Sequence, residues 1–152
     1  MKCYIFDLDG TLADDSHRAH HIASGTKDWD AYYAACPYDK PIEHVIALAT
    51  ALQKNGYAIV IVTGRSETVR AETERWLMQQ GVMFSELIMR KKGDFRKNSE
   101  VKIAALHDLR AKGYFPLMGF DDLQAAVDVW RAAGLPCAHV SGTHWSEEHS
   151  HP

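Results

Sequence analysis

The chain has 152 residues, 46% of them hydrophobic and 24% charged, which suits one soluble domain able to bury its own core without disulfides or structural metals. A formal net charge of −3 argues against a broad duplex-binding surface and leaves room only for a local basic patch. Three widely spaced cysteines, Cys3, Cys36 and Cys137, fit buried reduced thiols and a cytoplasmic setting, and no run of about 18 apolar residues predicts a membrane span.

Residues 2–7 predict a first strand, entered directly without a signal peptide, and it ends in Asp7-Leu8-Asp9-Gly10-Thr11. Residues 12–24 read as a polar connection over those acids. Its His17, His20 and His21 are better explained as a solvated face than as metal ligands. Lys27–Ala35 carries Trp29, Tyr32 and Tyr33 at helical spacing and predicts a short aromatic lid that stops near Pro37.

Pro41 is expected to open a helix whose apolar face is Ile42, Val45, Ile46, Leu48, Ala49 and Leu52, closed by Asn55-Gly56. Tyr57–Val62 predicts a parallel strand covered on both faces and ending at Thr63-Gly64-Arg65, after which Ser66 or Thr68 can start a helix that runs to Gln80. A short strand at Glu86–Met89, a basic loop at Arg90–Lys97 and a helix at Ser99–Lys112 follow. Tyr114–Phe120 predicts a strand ending in Asp121-Asp122, then come a helix to Ala133 and a last strand at Pro136–Val140. The tail from Thr143 lacks periodicity and is expected to be mobile, leaving a single domain over residues 1–142 with an insert at about 13–41.

Strands alternating with helices imply βαβ units, hence an α/β, three-layer Rossmann-like parallel sheet with a small helical lid after the first strand. Asp7, Thr63 and Asp121 then share the carboxyl edge of the sheet, where open α/β sheets bind ligands. In an extended strand Asp7 and Asp9 would lean over one spot, so a cation must sit beside them.

The run D-L-D-G-T, then I-V-I-V-T-G-R, a lysine at Lys102 and F-D-D resembles, in order and strand context, the four motifs of the haloacid dehalogenase superfamily. That resemblance implies a phosphomonoesterase in which Asp7 is the nucleophile and Asp9 the general acid and base. Thr63, Gly64 and Lys102 would stabilise the transferring phosphoryl group. The repulsion among the acids is expected to be relieved by Mg²⁺, held by Asp7, the Leu8 carbonyl, Asp121 and Asp122, with the Asp9 side chain beside them.

In the flanks, Arg18, Arg65, the loop Lys92-Gly93-Asp94-Phe95-Arg96-Lys97 and the helix after Asp122 are similar to the phosphatase half of phage-type polynucleotide kinases. This implies removal of 3′-phosphates from nucleic-acid ends, as in DNA repair, with Arg18 and Arg65 facing the active site; by its charge alone the basic loop, Arg96 and Lys97 included, either follows backbone phosphates or is a solvated loop. No kinase signature G-x-x-x-x-G-K-[ST] occurs, and Asn98 stands where the family pattern has an acid. A free nucleotide is the alternative substrate. A phosphate-binding regulator without catalysis is a further alternative, but it would be expected to lack one of Asp7, Asp9, Lys102 or Asp121. The oligomeric state is left open.

Overall fold

The computed structural model describes residues 1–23 and 25–140; the expected mobile tail lies outside the described residues. In chain order the elements are β1 (Lys2–Phe6), β2 (Ala13–Asp14), α1 (Trp29–Ala34), β3 (Lys40–Pro41), α2 (Glu43–Lys54), β4 (Ala58–Ser66) and α3 (Arg70–Gln79). There follow β5 (Glu86–Arg90), α4 (Asn98–Ala111), β6 (Phe115–Asp121), α5 (Gln124–Ala132) and β7 (Cys137–His139). Five strands make one parallel sheet in the order β5-β4-β1-β6-β7, so the expected α/β architecture is present.

Alternation along the strands sorts the core into two layers. Phe6, Ile59 and Ile61 pack with Val45 and Ala49 of α2 and with Trp76 and Leu77 of α3. Ile5, Val60 and Val62 face the other way, onto Ala105, Leu106 and Leu109 of α4 and Val127 and Trp130 of α5. Both faces of β4 are therefore buried, and each fully buried Val or Ile side chain contributes about 1.5–3 kcal/mol.

Pro41 does not open α2. It pairs with Ala13 in the two-residue antiparallel ladder of β2 and β3, and the next amide, Ile42, donates to the Leu12 carbonyl at 2.8 Å. Proline lacks an amide proton and tolerates an edge pair, so here it ties the two ends of the insert together. Between those ends lie a 3₁₀ helix (Ser16–His21), α1 and a second 3₁₀ turn (Cys36–Tyr38). Leu48, expected on the buried face, is 40% exposed, because α2 buries a narrower stripe than its composition suggested. The helix after β4 begins at Arg70, preceded by a 3₁₀ turn that Ser66 caps by accepting from the Thr68 amide.

Candidate active site

The carboxyl ends of β1, β4 and β6 meet as the sequence predicts. Backbone pairing sets the height of the first acid: the Asp7 amide donates to the Phe120 carbonyl at 2.9 Å, bringing Asp7 beside Asp121 and Asp122. These three buried carboxylates each offer an oxygen within 4.8 Å of the others. Burial pushes the Asp7 carboxyl well above the usual range, and the negative charge of Asp121 adds to it. Burial likewise pushes Asp122 up to about 8, again with Asp121 contributing.

Lys102, wholly buried on α4, compensates part of this charge. Its Nζ bonds Asp121 Oδ2 and lies 3.5 Å from Asp7 Oδ1. Burial disfavours the ammonium, but the two carboxylates outweigh that cost and its pKa is raised, so the lysine stays charged. Thr11 donates to Asp7 Oδ2 at 3.2 Å, and the Trp130 indole donates to Asp121 Oδ2 at 3.1 Å. One amine against three carboxylates leaves an excess of negative charge on hard oxygen donors, which fits a small divalent cation such as Mg²⁺.

Two expected ligands do not fit. The Leu8 carbonyl accepts from the amides of Thr11, Leu12 and Ala13 at 2.9–3.1 Å, so its lone pairs are spent closing the turn. Asp9 does not lean over the same spot as Asp7, because regular strand ends at Phe6 and the period-two argument stops there. Its Oδ1 accepts instead from Arg18 Nη2 at 2.6 Å and from Arg65 Nη2 at 2.5 Å.

Those two arginines also occupy a place other than the one expected. Arg18 is fully buried and reaches Asp39 through Nε and Nη2, both at 2.8 Å, and the Tyr32 carbonyl through Nη1 at 3.1 Å. Arg65 donates to Asp39 Oδ2 at 3.2 Å and to Thr73 Oγ1 at 3.0 Å. Two guanidiniums and two carboxylates form a buried quartet of zero formal charge, and both arginine pKa values are raised against the opposing effect of burial. In this structure the pair clamps Asp9 and does not line an open phosphate site.

Comparison with known proteins agrees with this geometry. A profile of the polynucleotide kinase PNKP phosphatase domain matches residues 1–145. The chain belongs to that family. It is a phosphatase domain of the haloacid dehalogenase type.

The fold superposes with a TM-score of 0.73 on a chain of the Pnkp1/Rnl/Hen1 RNA repair complex, at 28% identity over 92% of this chain and 42% of that one. A second structure of the Pnkp1/Rnl/Hen1 complex gives a TM-score of 0.77 at 28% identity, with 92% and 45% coverage. This chain thus spans less than half of either. The haloacid dehalogenase-like hydrolase SP0104 from Streptococcus pneumoniae shares the fold at a TM-score of 0.64 and 14% identity, covering 89% of this chain and 82% of that one. No curated protein matches the sequence.

Within this phosphatase domain, Thr63 is buried and its Oγ1 accepts from the Arg65 amide at 3.0 Å, which fixes the irregular stretch of β4 that the sequence reads as its end. Gly64 allows a close approach: a Cβ there would stand 2.8 Å from Asn98 Oδ1 and the end of that side chain would have to turn aside. The basic loop is less basic than its composition. Arg90 is buried and folds the loop by donating to the carbonyls of Asp94 and Arg96, while Arg96 itself pairs with Asp94. Arg96 thus shares its exposed charge with Asp94, and among the described residues the exposed loop cations with no ion pair of that kind are Lys91, Lys92 and Lys97.

Sequence reasoning missed Asp39 and the role of Trp130. Asp39 sits in Tyr38-Asp39-Lys40-Pro41, which reads as an ordinary turn; only its distant partners reveal it. For Trp130 there was a signal, a lone tryptophan on a helix that directly follows the paired acids. Among the described residues the only group of three or more His, Cys, Asp or Glu side chains close enough to hold a metal is the three-acid one. His17 bonds Asp39 at 2.6 Å.

Proposed function

We propose that this protein is a Mg²⁺-dependent phosphomonoesterase that removes 3′-phosphates from polynucleotide ends through an aspartyl-phosphate on Asp7. The observation that carries this reading is Asp7 itself, held by Thr11 and Lys102 at the sheet edge opposite Asp121 and Asp122. The family match supplies the chemistry class, and the likeness to a chain of an RNA repair complex favours nucleic-acid ends.

Asp9 first takes a proton from solvent as it loosens one guanidinium; a carboxylate oxygen of Asp7 then attacks phosphorus, the phosphorus–oxygen ester bond breaks, and the departing 3′-oxygen takes that proton from Asp9. Asp9 then accepts a proton from water, whose oxygen attacks the acyl phosphate, releasing inorganic phosphate and regenerating Asp7. Lys102 and the end of β4 at Thr63-Gly64 face the charge that builds on the phosphoryl oxygens. Mg²⁺ at Asp7, Asp121 and Asp122 would offset the acid cluster and polarise the phosphoryl group. The quartet with Arg18 and Arg65 gives Asp9 a fixed orientation. To protonate the leaving group Asp9 must loosen one guanidinium, which frees that arginine to meet the phosphate.

The test is a panel of 3′-phosphorylated oligonucleotides, 5′-phosphorylated oligonucleotides and nucleoside 3′- and 5′-monophosphates, read as phosphate release. The highest kcat/KM is expected for the 3′-phosphorylated oligonucleotides. A clear preference for a nucleoside 5′-monophosphate would replace this reading with a nucleotidase.

A further inference from the structure

A cavity of about 420 Å³ opens between the lid and the basic loop, walled by Trp29 and Tyr33 on one side and by Lys91, Lys92 and Phe95 on the other. Its volume falls within the range of small-ligand sites. Phe95 is 95% exposed, so its ring stabilises no core, and Trp29 keeps one flank against Tyr32 and Tyr33 while it faces the cavity. Two aromatic walls, one packed and one presented on a loop, suit a flat ring better than an aliphatic chain.

The cavity adjoins the chemistry. Tyr33 donates its hydroxyl to the Gly64 carbonyl at 3.2 Å, and Ser66, three residues beyond Thr63 across an irregular stretch of β4, lies in the wall. A phosphoryl group at Asp7 would therefore have its own nucleoside within reach of this space. The lining carries Arg90, Lys91 and Lys92 against Asp30 and Asp94, the latter already paired with Arg96, so the exposed Lys91 and Lys92 leave an excess of positive charge at the rim that complements a phosphodiester.

We propose that this cavity is a subsite for the terminal nucleotide of the strand, with the base between Phe95 and Trp29 and the phosphate on its 5′ side at Lys91 and Lys92. The proposal rests on the polynucleotide-end reading above and adds what that reading lacks, a contact to the base. Stacking accepts any base, so the subsite recognises that a base is present and not which one.

Two 3′-phosphorylated oligonucleotides, identical except that the last nucleotide of one is an abasic tetrahydrofuran analogue, test it with wild type and Phe95→Ala. Wild type should favour the base-bearing end by about tenfold in kcat/KM, the scale of one stacked base. Phe95→Ala should bring that ratio close to one, with an unchanged circular dichroism spectrum because the ring is exposed. A wild-type ratio near one, or an undiminished ratio in Phe95→Ala, overturns the subsite and leaves the phosphatase reading intact. Release from neither oligonucleotide alongside hydrolysis of a 5′-mononucleotide defeats the 3′-end reading instead. In that event, equilibrium binding of the same two oligonucleotides to Asp7→Asn protein, followed by fluorescence anisotropy, still decides whether the cavity selects a base.

Discussion

Asp39 offers the sharpest test of the buried quartet. Asp39→Asn keeps the shape of the side chain but takes the cluster from zero formal charge to +1, and its amide can turn an NH₂ toward donors of Arg18 or Arg65. Four contacts are at stake: Arg18 Nε and Nη2 at 2.8 Å each, Arg65 Nη2 at 3.2 Å and His17 Nε2 at 2.6 Å. Removing one partner of a buried ion pair costs about 3–5 kcal/mol, and since Asp9 still pairs with both arginines the lower end, about 3 kcal/mol, applies. For a domain of this size that corresponds to a fall in Tm of about 6–12 °C.

Scanning calorimetry at pH 7 measures the shift directly, and urea unfolding with an unchanged m-value would show that the folded state lost the energy. Turnover should drop by at least about tenfold, because the arginines that orient Asp9 lose their second anchor. As a control, Asp94→Asn breaks only the exposed pair with Arg96 and should leave Tm near wild type. A Tm for Asp39→Asn within about 2 °C of wild type would show that the quartet stabilises nothing and that the clamp on Asp9 is incidental.

Asp7→Asn should abolish turnover while leaving Tm unchanged or higher, since it removes the nucleophile and one of three crowded carboxylates; a beryllofluoride adduct on any other residue would refute the assignment. Metal dependence should be coupled to pH. The folded protein raises Asp7 and holds Asp122 at about 8, so between pH 4 and 8 it retains protons that the unfolded chain has lost. Metal-free stability should therefore fall as pH rises through that window. Tm in EDTA should be lower at pH 7.5 than at pH 5.5, Mg²⁺ should restore more at the higher pH, and a rise in EDTA across the same step would contradict the repulsive cluster. Gly64→Ala should cost no more than about 1 kcal/mol, because the atom it meets at 2.8 Å is the far end of the Asn98 side chain, which can turn aside; a larger loss that Asn98→Ser does not recover would mean the clash lies elsewhere.

What the sequence made legible was whatever local order encodes. Apolar runs of strand length ending in Asp7, Thr63 and Asp121 announce a parallel sheet with a polar edge, because burial and period two act on neighbouring residues. The quartet was illegible for the opposite reason: its partners stand 9, 21, 26 and 56 residues apart, and no periodicity links Arg18 or Arg65 to Asp39 or Asp9. Arg90 and Arg96 show the same limit. A sequence counts five cations in the loop but does not say that Asp94 and two carbonyls claim two of them.

The divergence of Asp7 and Asp9 shows why this matters for chemistry. Had the strand continued, both carboxylates would have shared one field, and any cation that calmed the nucleophile would also have fixed the proton carrier. Because β1 stops at Phe6, Asp7 answers to Lys102, Thr11 and the acids of β6, whereas Asp9 answers to two arginines braced by Asp39. The proposed nucleophile and the proposed proton carrier thus sit two residues apart in separate electrostatic environments. A reaction that needs one of them as a nucleophile and the other as a proton carrier that changes charge halfway is served by that separation. Asp39 braces both arginines on the Asp9 side, although it belongs to neither aspartate's motif.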